Sequence, residues 1–157
     1  MLSRLQPKRI VVVSSAPQIR YPDCYGIDMS KLGDFVAFKA AVALLKDAGK
    51  ETLLDEILQQ CKRLQSHNQL HTENLVRHIY KPFTTEEISA KIAQLITPEE
   101  INIPVTVIYQ TIEQLHKACP NNKGDWYFTG NYPTPGGNRV CNRAFMNYME
   151  GKNVRGY

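Results

Sequence analysis

Three histidines offer the clearest spacing for metal chemistry. His67 and His71 are four residues apart in "HNQLH", the spacing of two ligands on one helix face, and His78 follows seven residues later. At 1.5 Å per residue, His78 would lie about 10 Å from His71 along a helix, too far to share one ion. The zincin pattern also needs Glu directly after the first histidine, where this chain has Asn68. A solvated helix face therefore explains these histidines better than a metal site.

Other short motifs have simple structural explanations. The segment "PTPGGNR" lacks the glycine spacing of dinucleotide-binding and P-loop motifs, so we interpret it as a turn before the last helix. The paired glutamates of "TTEE" and "TPEE" suit the positive end of a helix dipole and need no catalytic role. Spacing alone assembles no Ser/His/Asp or Cys/His arrangement. Taken residue by residue, the sequence shows no complete active site.

Composition limits the class of protein. Of the 157 residues, 43% are hydrophobic and 22% are charged, as in a globular domain with a sizeable core. The net charge is +4, but the basic residues are scattered, so we expect no nucleic-acid partner. The most apolar stretch, residues 35–45, contains Lys39 and is too short to cross a bilayer, so we expect no membrane partner.

Cysteine usage favours a reducing compartment. The chain has four widely separated cysteines and no C-x-x-C pair: Cys24, Cys61, Cys119 and Cys141. Since the sequence shows no signal peptide, we expect reduced thiols in a cytoplasmic protein. The first residues, "MLSRL", resemble the tail of a helix, so we also expect the chain to be part of a longer α/β domain.

The elements that would position any site are few strands and several helices. Residues 10–13 form a continuous β-branched run, typical of a parallel strand covered on both faces. Residues 105–107 predict a second short extended piece. The pattern then predicts helices from Asp34 to a C-cap at Gly49 and over residues 52–64.

Two Thr-x-x-Glu patterns indicate helix starts. Thr84 with Glu87 forms a capping-box pattern, and Thr97 with Glu100 repeats it, with Pro98 at the first helical position.

Three more helices are predicted from apolar spacing. One short helix before the capping boxes would carry Leu75, Val76 and Ile79. Another, after the second extended piece, would take its apolar face from Ile108, Ile112, Leu115 and Cys119. The last helix is predicted over residues 138–150.

One stretch is more specific than these patterns. The segment "VVVSSAPQIRYPDCYGIDMS", residues 11–30, joins a strand and a small-residue turn to R-x-P-x-x-Y-G-I-D. It closely resembles the glutamine-dependent amidophosphoribosyltransferases, the enzymes that begin purine synthesis. Residues 88–118 resemble the helix, strand and helix that follow this loop in the family, and "WYFTGNYPT" resembles its F-T-G-x-Y-P element. The resemblance covers roughly residues 7–35 and 88–134.

This resemblance implies a fold class and a division of the chain. The fold would be α/β, with a partial parallel sheet from the end of a phosphoribosyltransferase domain and a largely helical C-terminal part. Residues 1–35 would supply the terminal strand and loop of that domain, and residues 36–82 would be a helical insertion. Residues 83–157 would form a C-terminal helical subdomain with a short strand.

The resemblance also implies a reaction. Family members hydrolyse glutamine in one domain and pass ammonia to another. There it displaces pyrophosphate from Mg²⁺-bound phosphoribosyl pyrophosphate and gives 5-phosphoribosylamine. The family's acidic-pair loop and N-terminal nucleophilic cysteine have no counterpart here, since Leu2 follows Met1. We therefore expect the C-terminal portion of such an enzyme, with both catalytic centres and the Mg²⁺ ligands outside this chain, and no catalysis by the 157 residues alone.

Site residues and partners are implied in the same way, with no catalytic residue and no metal ligand among them. By resemblance, the wall of the substrate and nucleotide pocket is formed by Ser14, Ser15, Ala16 and Pro17. By resemblance, the ammonia path or interdomain lip is formed by Tyr25, Gly26, Asp28 and Phe35. A structural alternative for Asp28 is capping of the loop or of the next helix. The full-length enzyme would be a homo-oligomer that uses phosphoribosyl pyrophosphate and glutamine and is inhibited by purine nucleotides.

The chain departs from parts of the family pattern. Some members hold an iron–sulfur cluster with four cysteines. Here Gly124 and Tyr127 occupy the C-x-x-C positions, and Asp23 stands where those members have Cys, so we expect no cluster. Ser30 stands where many cluster-free members have Pro, which leaves the backbone less restrained. The alternative to the enzyme is a stand-alone nucleotide-sensing or interaction module derived from the same fold.

Overall fold

The computed structural model describes residues 2–24, 29–121 and 124–156. The two strands in these residues are β1 (Ile10–Ser14) and β2 (Val105–Tyr109). The helices are α1 (Val36–Asp47), α2 (Thr52–Ser66), α3 (Arg77–Tyr80), α4 (Thr85–Ile96), α5 (Ile112–Ala118), α6 (Trp126–Thr129) and α7 (Pro135–Met149). Short 3₁₀ turns span Leu2–Leu5 and Leu32–Asp34. The chain is thus mixed α/β with a parallel sheet, as the sequence predicts.

The sheet is a parallel pair of strands. Its register runs from Ile10 opposite Val105 to Ser14 opposite Tyr109, so both strands end at the same edge. Helix α4 packs against β2, and Val107 is buried beneath it.

The opposite face of the sheet is open. Val11 is 43% exposed, Val13 69% and Ile108 48%, and no element in the described part of the chain covers them. The prediction of a strand covered on both faces is therefore wrong for these residues. The physical reason is that the helices between the two strands lie to one side: α4 contacts β2, and α1 contacts α4.

A helical core forms most of the buried interior. Helix α1 contacts α3 and α4, and α2 contacts α3 and α7. Phe38, Leu45 and Phe145 are completely buried, and the rings of Phe38 and Phe145 meet edge to face. Residues from all three predicted parts of the chain share this core. No helix among the described residues has the length and apolarity needed to cross a membrane.

One buried amide ties α7 to the loop before α3. Asn142 has no exposed surface, and its Oδ1 accepts a hydrogen bond from the Leu75 N–H at 3.0 Å. Its Nδ2 donates to the carbonyls of Leu70 at 2.9 Å and Glu73 at 2.8 Å. Because a buried polar group is stabilising only when it is satisfied, these bonds fix the position of α7 against the loop.

The first predicted capping box is confirmed. Thr84 Oγ1 accepts from the Glu87 N–H at 3.1 Å, and Glu87 Oε2 accepts from the Thr84 N–H at 2.7 Å, at the start of α4. The predicted C-cap is off by one residue: Ala48 caps α1, and Gly49 follows it with φ of +63°, where glycine commonly ends a helix.

The second predicted capping box is wrong. Thr97 ends α4 rather than starting a helix, and its hydroxyl donates to the Ala93 carbonyl at 2.6 Å. Only six residues separate Thr97 from Pro104, which leaves room for less than two helical turns before a residue that disfavours helical geometry. The sequence instead contains an unrecognised box at Thr111 and Gln114, which starts α5.

Three helix predictions need correction in extent. Ile108 belongs to β2, so it is not part of the apolar face of α5. Helix α3 is a single turn, and Leu75 and Val76 are buried before it begins. Helix α7 begins at Pro135 instead of residue 138, so "PTPGGNR" supplies its first turn. Proline at that position needs no backbone N–H, which explains the earlier start.

Candidate functional site

The loops that follow β1 and β2 meet at the carboxyl edge of the sheet. The Gln110 N–H donates to the Ser14 carbonyl at 3.2 Å and joins the two loops. Ser14 Oγ donates to the Ala16 carbonyl at 2.9 Å and accepts from the Ala16 N–H at 3.2 Å. The Ser14 hydroxyl therefore shapes the turn after β1, and the turn directs Pro17 into the fold, where it is buried.

A cavity of about 170 Å³ lies at this edge, and we call it the sheet-edge cavity. It is lined by Pro17, Gln18, Arg20, Thr85, Glu86 and residues 110–113. Of the four predicted wall residues, Pro17 lines it, whereas Ser14, Ser15 and Ala16 form the turn behind it. Ligands of open α/β sheets bind beyond the carboxyl ends of the strands, so this is the expected place for a site.

The polar lining of the sheet-edge cavity is held by long-range hydrogen bonds. Gln18 is 2% exposed, and its Nε2 donates to the Thr85 carbonyl at 2.9 Å and to Ser89 Oγ at 2.8 Å. Its Oε1 accepts from Arg20 Nε at 3.1 Å and from Nη2 at 2.7 Å. The Arg20 guanidinium also lies 5.2 Å from the centre of the Tyr80 ring. Both side chains are therefore fixed before any ligand arrives.

Sequence reasoning missed Gln18 and Arg20 as site residues. A usable signal was present, because alternate residues of an extended segment point to the same side, and Gln18 and Arg20 are two apart after a strand. Their partners in α4 are more than 60 residues away in sequence, and no local pattern indicates them.

One acceptor in the sheet-edge cavity lacks a partner. Gln110 Oε1 is buried and makes no hydrogen bond to any described residue. Buried acceptors are normally satisfied, so Gln110 is a candidate to receive a hydrogen bond from a ligand. Nearby, the pKa of Glu113 is lowered, first by a hydrogen bond from its own backbone and then by the Thr111 hydroxyl. This carboxylate is thus charged at neutral pH.

The three segments that carry the family resemblance converge beside this cavity. The N–H groups of Arg20 and Tyr21 donate to the Tyr127 carbonyl at 2.8 and 3.1 Å. The Tyr132 hydroxyl donates to the Pro22 carbonyl at 2.7 Å. Residues 14–22, β2 and residues 126–134 therefore form one assembly.

Two glycines allow this convergence. Gly130 has φ of +72°, and a Cβ there would lie 2.9 Å from the Tyr21 ring. A Cβ on Gly137 would lie 2.3 Å from Cγ of Tyr132. Glycine at both positions lets the aromatic rings approach the backbone.

The predicted ammonia-path residues are placed only in part. Tyr25, Gly26 and Asp28 lie outside the described residues. Phe35 is 8% exposed and sits directly before α1, in the core rather than in the lining of the sheet-edge cavity.

The histidines do not share one helix face. His67 follows the end of α2, where its Nδ1 lies 2.8 Å from the Arg63 carbonyl, while His71 lies in the next turn. His78 is on α3. Among the described residues, no group of three His, Cys, Asp or Glu side chains is placed to hold a metal ion.

Comparison with protein-family models, curated proteins and solved structures gives no match to this chain.

Proposed function

We propose that this chain is the C-terminal part of an enzyme that transfers ammonia from glutamine to phosphoribosyl pyrophosphate. The reaction forms a C–N bond at the anomeric carbon, releases pyrophosphate and gives 5-phosphoribosylamine. The observation that carries the proposal is the convergence of the three resembling segments at one edge of a parallel sheet, where the Tyr127 carbonyl accepts from two backbone N–H groups of the first segment. Segments that are distant in sequence but share a function are expected to meet in space.

Within that enzyme, this chain would form a wall of the pocket and exclude water from it. None of its residues would take part in the chemical step. Pro17 and the ordered pair Gln18 and Arg20 would form one wall, and the unpartnered Oε1 of Gln110 would accept a hydrogen bond from a substrate hydroxyl. Exclusion of water protects an ammonia-dependent step from competing hydrolysis.

The remaining parts would come from outside the chain. The Mg²⁺ ligands of the substrate complex are proposed to lie elsewhere, because the family's acidic-pair loop has no counterpart in this sequence. The open face of the sheet supports this, because parallel strands are nearly always covered on both faces in larger sheets. Purine nucleotides are proposed as inhibitors and a homo-oligomer as the assembly. The four widely separated cysteines, with no C-x-x-C pair, fit a cytoplasmic enzyme.

The alternative is a stand-alone nucleotide-sensing or interaction module. It is favoured by one observation: Gln18 and Arg20, which line the sheet-edge cavity, are already ordered by hydrogen bonds to described residues. The module would bind nucleotide without releasing pyrophosphate.

The test uses the native protein purified from its natural source. We expect an intact mass larger than that of the 157-residue chain, and pyrophosphate release from phosphoribosyl pyrophosphate with either glutamine or ammonia. A native polypeptide that gives no pyrophosphate with ammonia would contradict the proposal. Phosphoribosylamine formation by the 157 residues alone would contradict the expected location of the catalytic centres.

A paired substitution tests the wall. Gln110→Ala in the active enzyme is expected to raise KM for phosphoribosyl pyrophosphate several-fold, because the substrate hydroxyl loses its buried acceptor. Glutamine hydrolysis is expected to be retained. Gln65→Ala, on the exposed side of α2, is the matched control. Equal KM values for both variants would contradict the proposed contact between Gln110 and phosphoribosyl pyrophosphate.

A further inference from the structure

A groove of about 650 Å³ lies between α4 and β2, and we call it the α4–β2 groove. All five residues of β2 line it, from Val105 to Tyr109. Because consecutive side chains of a strand point to opposite faces, a groove that contacts all five must follow the edge of the strand. Strand β1 occupies one edge of β2, so the groove follows the edge that β1 leaves free.

The backbone of β2 presents unpaired hydrogen-bonding groups to this groove. The Pro104 carbonyl and the Gln110 N–H both bond to β1, at 2.9 and 3.2 Å, so the even-numbered positions face β1. Successive residues of a paired strand alternate between its two edges, so the N–H and C=O groups of Val105, Val107 and Tyr109 face the groove. No hydrogen bond joins these three backbone positions to another described residue.

The free edge of β2 lacks the usual protection against an added strand. Natural sheet edges carry charged side chains or proline, or are covered by another element. Residues 105–111 contain no charged residue and no proline, whereas Lys8 and Arg9 stand directly before β1. The edge is therefore suited to strand addition, in which main-chain hydrogen bonds give affinity and pockets for alternate side chains give specificity.

The α4 wall of the groove selects the side chains of the added strand. Ala90 and Ala93 line this wall with methyl groups. Every second side chain of an added strand would point toward α4, because side chains alternate along a strand. Valine and other β-branched residues favour the extended conformation and offer apolar surface to these methyl groups.

Charge selects the end of the added strand. Among the described residues, Glu86 supplies the one charged side chain in the lining of the groove, and it forms no ion pair with another described residue. Glu86 also lines the sheet-edge cavity together with Gln110 and Thr111, which places it at the carboxyl end of β2. Antiparallel pairing is the more stable arrangement per residue, and it brings the amino-terminal end of the partner to Glu86. Lysine or arginine at that end complements the carboxylate.

We propose that the α4–β2 groove binds an extended segment of a partner protein, which adds to the sheet antiparallel to β2. The segment begins with Lys or Arg near Glu86 and continues with alternating β-branched residues. The amidotransferase assignment is not needed for this site, because the groove is lined by α4, β2 and the residues beside them. Failure of either proposal therefore leaves the other standing.

The test is amide hydrogen exchange of the full chain, followed by NMR with the peptide acetyl-KVTVTV-amide. At saturation, exchange of the Val107 and Tyr109 N–H groups is expected to slow at least about tenfold, because they gain hydrogen bonds. Thr106 and Ile108 should change much less, since their N–H groups already face β1. The control peptide acetyl-KVPVPV-amide should give no protection, because proline cannot donate to the ladder.

Three results would overturn the proposal. The first is equal protection by the two peptides, and the second is no protection by acetyl-KVTVTV-amide at millimolar concentration. The third is protection of Val107 and Tyr109 without peptide that rises with protein concentration, because a second copy of the chain would then occupy the groove.

A filled groove tests the location. Ala90→Tyr places a ring in the groove and is expected to weaken peptide binding at least about tenfold. Ala118→Tyr makes the same change at an exposed position of α5 outside the groove and should leave the dissociation constant within about twofold. Both alanines are exposed, so unchanged thermal melting can confirm that each variant folds. Equal weakening by the two variants would contradict binding in the groove.

A double-mutant cycle tests the charge. Glu86→Gln is expected to weaken binding of acetyl-KVTVTV-amide about two- to fivefold, the range of exposed ion pairs, and to leave binding of acetyl-QVTVTV-amide unchanged. Glu56→Gln, at an exposed position of α2, is the control and should change neither. If Glu86→Gln weakened both peptides equally, the proposed pairing of Glu86 with the amino-terminal cation would be wrong.

Discussion

The helical core and the strand pair differ in how completely they cover their apolar side chains. Phe38, Leu45 and Phe145 of the helical core have no exposed surface. In the strand pair, by contrast, Val13 and Ile108 face solvent across an open sheet face.

The largest buried side chains and the strands also differ in their likeness to the amidophosphoribosyltransferases. Phe38, Leu45 and Phe145 lie in stretches for which the sequence shows no likeness to the amidophosphoribosyltransferases. The strands, which carry much of that likeness, bury less. We infer that the helical core, to which α1, α2, α4 and α7 contribute, is the stable scaffold that holds the strand pair in place.

Thiol reactivity should show the largest contrast. Cys119 is exposed, whereas Cys61 and Cys141 are completely buried. Burial raises the pKa of Cys61 to about 12, so its thiol stays protonated at pH 8.5. Iodoacetamide should label Cys119 at least about 10³-fold faster than Cys61 or Cys141, because the buried thiols react only when the protein unfolds. Peptide mapping by mass spectrometry after timed pulses measures these rates. Similar native rates for Cys61 and Cys119 would show that the helical core opens readily.

Removal of the buried amide should cause the next largest effect. Asn142→Ala leaves the Leu75 N–H and the carbonyls of Leu70 and Glu73 without their partner. The free energy of unfolding is expected to fall by about 3 kcal/mol or more, measured by urea denaturation. The control is Asn138→Ala, which removes one exposed hydrogen bond to the His71 carbonyl and should cost less than about 1 kcal/mol. Equal losses would mean that α7 is not anchored through Asn142.

Alanine substitution of two adjacent glycines should change the free energy of unfolding in opposite directions. Gly137→Ala would place a Cβ 2.3 Å from the Tyr132 ring, and we expect a net loss of about 2 kcal/mol. Gly136→Ala meets its nearest atom at 3.7 Å and should stabilise the helix by up to about 1 kcal/mol. Thermal unfolding of the two variants tests these opposite signs. A stabilising Gly137→Ala would show that Tyr132 moves freely.

The two faces of the sheet should respond unequally to the same change. Val107→Thr places a hydroxyl on the buried face and should cost about 1–3 kcal/mol. Val13→Thr makes the same change on the open face and should remain within about 0.5 kcal/mol. Both residues are β-branched, so strand propensity is matched. A large cost for Val13→Thr in chemical denaturation would indicate that another copy or chain covers this face in solution.

Local features of the fold were predictable from the sequence. The β-branched run gives β1, and the Thr84–Glu87 box starts α4, because each depends on residues within a few positions. The same logic failed at Thr97, where the pattern is present but Thr97 ends α4 and Pro104 follows within seven residues.

Features that depend on distant partners were not predictable. The Oδ1 of Asn142 meets a backbone group 67 positions away, and Gln18 meets Ser89 at a separation of 71. The close approach of Tyr132 to Gly137 could not be predicted either, because the local sequence "PGG" indicates a turn. Of the predicted site residues, Pro17 lines the sheet-edge cavity, and the roles of all four wall residues remain predictions.

The pairing of the two strands has a consequence for biosynthesis. Ile10 is matched with Val105, so β1 leaves the ribosome 95 residues before its partner. At about 5–20 residues per second, that delay lasts roughly 5–20 s. Throughout this interval a β-branched segment with free backbone groups is available to other nascent chains. Lys8 and Arg9 stand immediately before it, and their charges are suited to keeping newly made copies apart until β2 arrives.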